Sequence, residues 1–343
     1  MRPGEWLLGV AREVVGLDLT FDTGAAVSAG AAVVVRLPDQ TVVGMLRGVP
    51  VDGPGPLSAC QRQGMAIIAG LIGRELDQQR TLERNGAQRR DALRHLFTGD
   101  GTSVVVQPIR RLAGNIIVGY EALSRFGGGQ RGLIPADTVF EEARQLGLGV
   151  ELELATARSA LGLLPYIAAP SYLSVNLSPA ALVDPRTADL FAGVKTRRVV
   201  LELTEHEQVE DYAALSRALR SLRKRGVRLA VDDAGAGFAS LQHISLLNPD
   251  LIKLDRALIR AVQEDPSRRA LVRAMVQFAH ETSATLIAEG IEHEAERRQL
   301  IELGVELGQG FLLGHPAPPD QWLHRRSPLG TYGVARQRTR ANA

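Results

Sequence analysis

Two short stretches late in the chain decide the fold: Arg228-Leu-Ala-Val-Asp-Asp233 and Leu251-Ile-Lys-Leu-Asp255. Each is an apolar run that ends in charged residues, which is typical of a strand buried inside a protein. The segment before the first of them, Tyr212–Arg223, has the periodicity of an amphipathic helix. Strands that alternate with helices in this way predict an α/β fold with a largely parallel sheet.

The same alternation extends from Ser103 to about Leu323. The other predicted strands are Val104–Ile109, Ile116–Leu123, Tyr172–Leu177, Val199–Leu203 and Thr285–Ala288, and the other predicted helices include Ala136–Leu146 and Arg268–His280. Both a closed barrel and an open sheet are compatible with this pattern. A (β/α)₈ barrel typically needs about 250 residues, which this region nearly provides.

Polar residues stand at or near the ends of these strands. They are Glu121, Asn176, Glu202, Asp232, Asp233, Lys253 and Glu289, with Gln309 in a later turn. The carboxyl ends of parallel strands meet on one face of the fold, so these groups are expected to converge there. So many carboxylates need a cation, and oxygen ligands without a Cys/His set favour Mg²⁺ or Mn²⁺. The number of acids favours two ions, a geometry suited to phosphoryl displacement.

Taken singly, each of these features has an ordinary structural interpretation. Asp232-Asp233 before Ala-Gly is also typical of a turn, and Glu202-Leu-Thr-Glu205 of a helical capping box. Lys253 is unusual, because it lies between Ile252 and Leu254 in an otherwise buried strand.

Taken together, eight motifs resemble the ordered motif series of EAL-domain cyclic di-GMP phosphodiesterases over about residues 102–323. They are Gln107-Pro-Ile, Glu121-Ala-Leu-Ser-Arg125, Val175-Asn-Leu-Ser, Glu202-Leu-Thr-Glu205, Asp232-Asp-Ala-Gly-Ala-Gly237, Ile252-Lys-Leu-Asp255, Ala288-Glu-Gly-Ile-Glu292 and Gln309-Gly-Phe-Leu-Leu-Gly314. The resemblance implies a modified TIM barrel with one antiparallel strand. It also implies metal-dependent hydrolysis of cyclic di-GMP to the linear dinucleotide pGpG.

The resemblance also implies roles for individual residues. The implied metal ligands are Glu121, Asn176, Glu202, Asp232, Asp233 and Glu289. Lys253 would hold and polarise the attacking water, and Glu205 would brace the loop after the fifth strand. The implied substrate contacts are Gln107, Leu123, Arg125, Asp255, Gln309 and Pro316, with Arg125 suited to bind a phosphate.

The sequence departs from the family in one loop. Ala234 and Ala236 stand where the family usually has a phenylalanine and a threonine. In the family this loop links the metal site to the dimer interface. We therefore expect retained chemistry with altered regulation.

Two N-terminal stretches, Ala11–Phe21 and Arg36–Met45, followed by a long helix, resemble the first and last parts of a GAF sensor domain whose middle is missing. Four segments are predicted: a shortened GAF-like module at 1–56, a connecting amphipathic helix at 57–101, the barrel at 102–324 and a flexible Arg-rich tail at 325–343. The module's two β-branched runs, Ala32–Leu37 and Val42–Leu46, predict an antiparallel pair. The narrow apolar stripe of the helix allows two interpretations, packing on its own domain or a homodimer seam. The module would serve dimerisation or regulation, and Cys60 is interpreted as a packed residue.

The composition limits which other classes of protein the chain can belong to. The 343 residues are 45% hydrophobic with a formal charge of +2, which excludes disorder throughout the chain and disfavours a general nucleic-acid binder. One cysteine excludes an internal disulfide framework, and no apolar run reaches the roughly 20 residues of a membrane span. We expect a cytoplasmic phosphodiesterase; the alternatives are a catalytically silent cyclic di-GMP receptor and a protein-interaction scaffold.

Overall fold

A computed structural model describes residues 17–22, 31–51, 56–98, 101–127, 132–203, 209, 211–234 and 244–323. The chain divides into two units, Met1–Asp91 and Ala92–Ala343. The division falls inside the segment that was predicted as a connecting helix. The predicted Arg-rich tail lies outside the described residues.

The N-terminal unit contains a three-stranded antiparallel sheet of β1 (Leu17–Asp22), β2 (Ala31–Arg36) and β3 (Val42–Pro50), in the order β1-β3-β2. The predicted pairing of the two β-branched runs is confirmed, and β1 is an additional strand. Helix α1 (Ala59–Thr98) begins in this unit and packs Met65, Ile68 and Ile72 against apolar residues of the sheet. Cys60 in its first turn is exposed, so the interpretation of this cysteine as a packed residue is wrong. The resemblance to a GAF domain stays a prediction.

The C-terminal unit is a closed barrel. The strands of the ring are β4 (Thr102–Arg111), β5 (Ile116–Gly127), β7 (Tyr172–Asn176), β8 (Val199–Leu203), β9 (Arg228–Ala234), β10 (Leu251–Leu254), β11 (Thr285–Ala288) and β12 (Leu307–Gly308). A short strand, β6 (Leu133–Ile134), pairs with β5 outside the ring. β4 is antiparallel to both of its neighbours, β5 and β12, and the other neighbouring strands of the ring are parallel. The predicted modified TIM barrel is therefore confirmed.

Helices connect the strands on the outside of the barrel. They are α2 (Ala136–Gln145), α3 (Gly149–Leu161), α4 (Pro179–Val183), α5 (Arg186–Leu190), α6 (Tyr212–Lys224), α7 (Arg256–Ile259), α8 (Pro266–Thr282), α9 (Glu294–Leu303) and α10 (Pro319–Trp322). α6 shows why they form: Leu215, Leu219 and Leu222 make one buried stripe, and the Asp211 side chain caps the first turn. None of the helices in the described ranges is long and apolar enough to cross a membrane.

The inside of the barrel has an apolar layer. Side chains from seven strands meet in it: Ile109, Tyr172, Val200, Ala230, Leu251, Ile287 and Leu307. Because side chains alternate along a strand, the residues two positions further along β8 to β12 face the same side. Those residues are Glu202, Asp232, Lys253, Glu289 and Gln309. The apolar layer closes one end of the barrel and the polar residues lie above it.

Candidate active site

The ammonium group of Lys253 lies at the centre of the polar layer. Its Nζ is 2.7 Å from Glu289 Oε1, 2.9 Å from Glu202 Oε2, 3.1 Å from Asp232 Oδ1 and 3.6 Å from Glu121 Oε2. The lysine side chain is 1% exposed. Four strands thus deliver carboxylates around one buried cation, as the strand-end analysis predicted.

Amide and hydroxyl groups hold these carboxylates in place. Glu121 accepts hydrogen bonds from Gln309 Nε2 at 2.6 Å and from Asn176 Nδ2 at 3.2 Å. The same Gln309 nitrogen donates to Gln107 Oε1 at 2.9 Å. On the other side of the layer, Ser174 Oγ donates to Glu202 Oε1 at 2.5 Å. Gln309, predicted as a substrate contact, thus fixes the orientation of Glu121, and Gln107, predicted as another, accepts from Gln309.

Asp233 lies in a special backbone conformation. Its φ of 51° is in the left-handed region, which aspartate tolerates better than most residues, and its N–H donates to Asp232 Oδ1 at 3.0 Å. Oxygens of Asp232, Asp233 and Glu289 lie within 4.8 Å of one another. The turn therefore brings the carboxylates of Asp232 and Asp233 to the same edge of the polar layer, beside Glu289. Ala234, where the family usually has an aromatic residue, is fully buried behind it.

The crowding of charges changes the proton affinities. Burial raises the pKa of Glu289, and nearby Asp232 and Glu121 raise it further, to about 8 despite the opposing effect of Lys253. Burial also raises the pKa of Glu202 well above its ordinary range. Burial opposes the charge of Lys253, but the carboxylates around it outweigh this and raise its pKa. With all of its carboxylates ionised, the site would hold more negative charge than one ammonium compensates, so burial and this excess of negative charge both raise the pKa values of Glu289 and Glu202.

The donor set fits a hard divalent cation. The described part of the site offers carboxylate oxygens from five residues, and the buried Asn176 Oδ1 and Gln309 Oε1 accept no hydrogen bond there. An unpartnered buried oxygen is costly, and a cation is one partner that would satisfy it. Oxygen donors of this kind are the ligands that Mg²⁺, Mn²⁺ and Ca²⁺ prefer.

The other predicted site residues lie in different surroundings. Leu123 lines a cleft of about 220 Å³ that opens above Lys253. Arg125 Nη1 donates to the Ser124 carbonyl at 2.9 Å, and Asp255 caps α7 by accepting from Ala257 N at 2.6 Å. Pro316 is half-buried. Glu205 and Ala236 lie outside the described residues, so their predicted roles remain predictions.

Three further residues at the site were missed in the sequence. Ser174 precedes Asn176 by two positions in β7, so strand alternation could have identified it as a polar residue of the interior. Arg256 and Glu292 also line the cleft and form an ion pair of 2.7 Å. Their pairing joins the first residue of α7 to the loop after β11, and no local sequence pattern reveals a contact between such distant positions.

The fold and site define a class: an α/β barrel with one reversed strand and a carboxylate-rich centre at one end. A family model described as the EAL domain matches residues 90–316, and the chain belongs to this family.

Among the relatives is the probable cyclic di-GMP phosphodiesterase PdeI of Escherichia coli, 30% identical over 244 residues, which are 67% of this chain and 31% of that protein. The solved structure of the PaMucR phosphodiesterase in complex with c-di-GMP is also similar, with 29% sequence identity and a TM-score of 0.62. The match covers 69% of this chain and 100% of the PaMucR chain. BlrP1 of Klebsiella pneumoniae, solved with manganese and cyclic di-GMP, is 29% identical with a TM-score of 0.55 over 64% of this chain and 57% of that one. The matched part of the chain spans between 28% and 47% of the length of these curated relatives.

Proposed function

We propose that the barrel hydrolyses one phosphodiester bond of cyclic di-GMP and releases pGpG, with two Mg²⁺ or Mn²⁺ ions as cofactors. The observation that carries this proposal is the convergence of Glu121, Glu202, Asp232 and Glu289 on Lys253 at one end of the barrel. The names of the relatives supply the substrate: PdeI is named a probable cyclic di-GMP phosphodiesterase, and PaMucR is a phosphodiesterase solved with c-di-GMP.

The residues have distinct roles in this proposal. The metal ligands would be Glu121, Asn176, Glu202, Asp232, Asp233 and Glu289. Bound divalent cations would supply an activated water and stabilise the charge that develops on the phosphate. Lys253 would orient the attacking water, and Gln309 would keep Glu121 in its ligating orientation. Gln107 and Leu123, which line the cleft, would contact the substrate.

The N-terminal unit has a regulatory role in the proposal, and Ala234 and Ala236 alter that regulation without removing the chemistry.

The homodimer predicted along α1 remains a prediction. Ile67, Leu71 and Leu82 of this helix are exposed, as a seam between two copies requires. Light scattering on the whole chain would give the mass that decides between monomer and dimer.

The direct experiment is turnover of cyclic di-GMP by the purified chain with Mn²⁺, with Mg²⁺ and with a chelator. Chromatography should detect pGpG with either ion and none with the chelator. Tight binding in calorimetry without any product would contradict the enzyme and favour the receptor. Absence of both binding and product would contradict both functions.

A further inference from the structure

The cleft above Lys253 is lined by two cationic side chains among the described residues, Lys253 and Arg256. Lys253 is surrounded by four carboxylates and is almost inaccessible. The Arg256 side chain is 56% exposed and reaches the cleft rim. Among the described residues that line the cleft, Arg256 is therefore the cation whose N–H donors are open to a ligand.

Arg256 is held in position by two contacts. Its Nη2 lies 2.7 Å from Glu292 Oε1, which fixes one side of the guanidinium. Its aliphatic stem lies against Gly290, where an added Cβ would collide with the Arg256 Cγ. Gly290 has a φ of 66° and directly follows Glu289, so the stem packs on the backbone beside a carboxylate of the site.

A buried carboxylate, Glu296, holds the backbone of Glu292 and the backbone just after α7. Glu296 Oε2 accepts from Glu292 N at 2.9 Å and from His293 N at 3.0 Å. Its Oε1 accepts from Ala261 N at 3.0 Å, just after α7, the helix that begins at Arg256. Glu296 thus connects the loop that carries Glu292 to the chain just after the helix that begins at Arg256.

Arg125, which the family resemblance marks as a phosphate contact, follows Glu121 and Leu123 at two-residue steps along β5 and so lies on the same face of that strand. Arg125 Nη1 donates to the neighbouring Ser124 carbonyl, and Arg125 is not among the described residues that line the cleft. A cyclic dinucleotide carries two phosphodiester groups, each with one negative charge. The metal site would hold one of them, and Arg256 is the arginine that lines the described cleft and could meet the other.

We propose that Arg256 binds the phosphodiester that is not cleaved, with Glu292 as the residue that positions its guanidinium. This inference rests on the proposed function, because it takes cyclic di-GMP as the ligand. A guanidinium presents two parallel N–H donors that match the two free oxygens of a phosphodiester, which an ammonium cannot reproduce. Arg256 thus contributes to affinity and to the choice of a substrate with two phosphates.

The test compares Arg256→Ala with the whole wild-type chain in two assays. Calorimetry with cyclic di-GMP and Ca²⁺ should show about tenfold to a hundredfold weaker binding, the effect of losing a hydrogen bond to a charged group. With Mn²⁺, the KM for cyclic di-GMP should rise by a similar factor. The KM for bis(p-nitrophenyl) phosphate, which has a single phosphodiester, should change far less. Arg256→Lys should fall between the alanine variant and the wild type.

Arg186→Ala is the matched control, since Arg186 is also 56% exposed and pairs with Asp184 at 2.8 Å away from the cleft. Equal cyclic di-GMP affinities for Arg256→Ala and Arg186→Ala would overturn the inference. An equal rise in KM for cyclic di-GMP and for bis(p-nitrophenyl) phosphate in Arg256→Ala would overturn it as well. A wild-type chain that binds but does not cleave would contradict the proposed function alone, because the affinities still test Arg256. A wild-type chain that does not bind cyclic di-GMP would overturn both.

Discussion

Lys253 is the residue on which the electrostatics of the site depend. A buried ammonium is costly to desolvate, and it remains charged here because four carboxylates lie within 3.6 Å of it. The carboxylates in turn need defined orientations, and those of Glu121 and Glu202 depend on uncharged side chains that donate to them. Ser174 is such a neighbour, because it is fully buried and donates to Glu202.

The first prediction concerns Ser174→Ala. Glu202 would keep its contact with Lys253 but lose the bond that fixes its other oxygen. Loss of a group that orients a metal ligand typically weakens metal binding about tenfold to a hundredfold. Calorimetric titration with Mn²⁺ measures this effect. Ser159→Ala is the control, because Ser159 is exposed on α3 and bonds within its own helix. Equal Mn²⁺ affinities for the two variants would show that Glu202 needs no support.

At the residue scale the sequence predicted the carboxylates and the lysine of the site, but not the hydrogen bonds from neighbouring side chains that orient the carboxylates. Glu121, Asn176 and Lys253 were identifiable because each is polar at or near the end of an apolar strand. The orienting hydrogen bonds were harder to find because their partners lie far away along the chain. Gln107 and Gln309 are separated by 202 positions and still share a hydrogen bond. Such a contact follows from closure of the barrel, since β12 pairs with β4.

At the scale of elements, the loop after β11 depends on the first turn of α9. Glu296 in that turn is 2% exposed and accepts three backbone N–H groups, from Ala261, Glu292 and His293. Burial acts to raise the pKa of Glu296, but these hydrogen bonds and His293 outweigh it, so the pKa is lowered from 4.5. The ionised carboxylate is therefore the form that stabilises the loop.

The second prediction is that Glu296→Gln destabilises the protein at pH 7 by about 1–3 kcal/mol, since an amide oxygen cannot replace both carboxylate oxygens. The folded pKa is below the unfolded value, so this stabilisation is present above pH 4.5 and is lost as the pH falls. Urea unfolding should therefore show a difference from wild type at pH 7 that shrinks below pH 4.5. Glu302→Gln, at an exposed position of the same helix, is the control. A difference that does not depend on pH would contradict this account.

At the scale of the whole molecule, the boundary between the units lies within a helix. The glycine-rich segment 98–102 predicts a boundary after the helix, because glycines interrupt the helical pattern there. The last turns of α1 nevertheless belong to the barrel unit: Leu93 and Phe97 pack with Phe126 and Val139. The sequence could not reveal this, because the apolar periodicity of α1 does not show which unit each turn contacts.

The third prediction compares two fragments, 92–343 and 102–343. The shorter fragment lacks Leu93 and Phe97, and full burial of two large apolar side chains contributes about 3–6 kcal/mol. It should unfold at a clearly lower urea concentration than 92–343. Turnover by 92–343 relative to the whole chain also measures the regulation proposed for the N-terminal unit. Equal stability of the two fragments would place the boundary after the helix.

The central claim is that the carboxylates around Lys253 form a metal centre that hydrolyses cyclic di-GMP. The most direct measurement is the rate of pGpG formation with saturating Mn²⁺ by the wild type and by Glu121→Gln, which keeps the shape of the side chain but removes its charge. The account predicts wild-type turnover that a chelator abolishes, and a rate at least about a hundredfold lower in the variant, since even groups behind a ligand have effects of that size. Wild-type rates in Glu121→Gln, or product formed in the presence of the chelator, would contradict the claim.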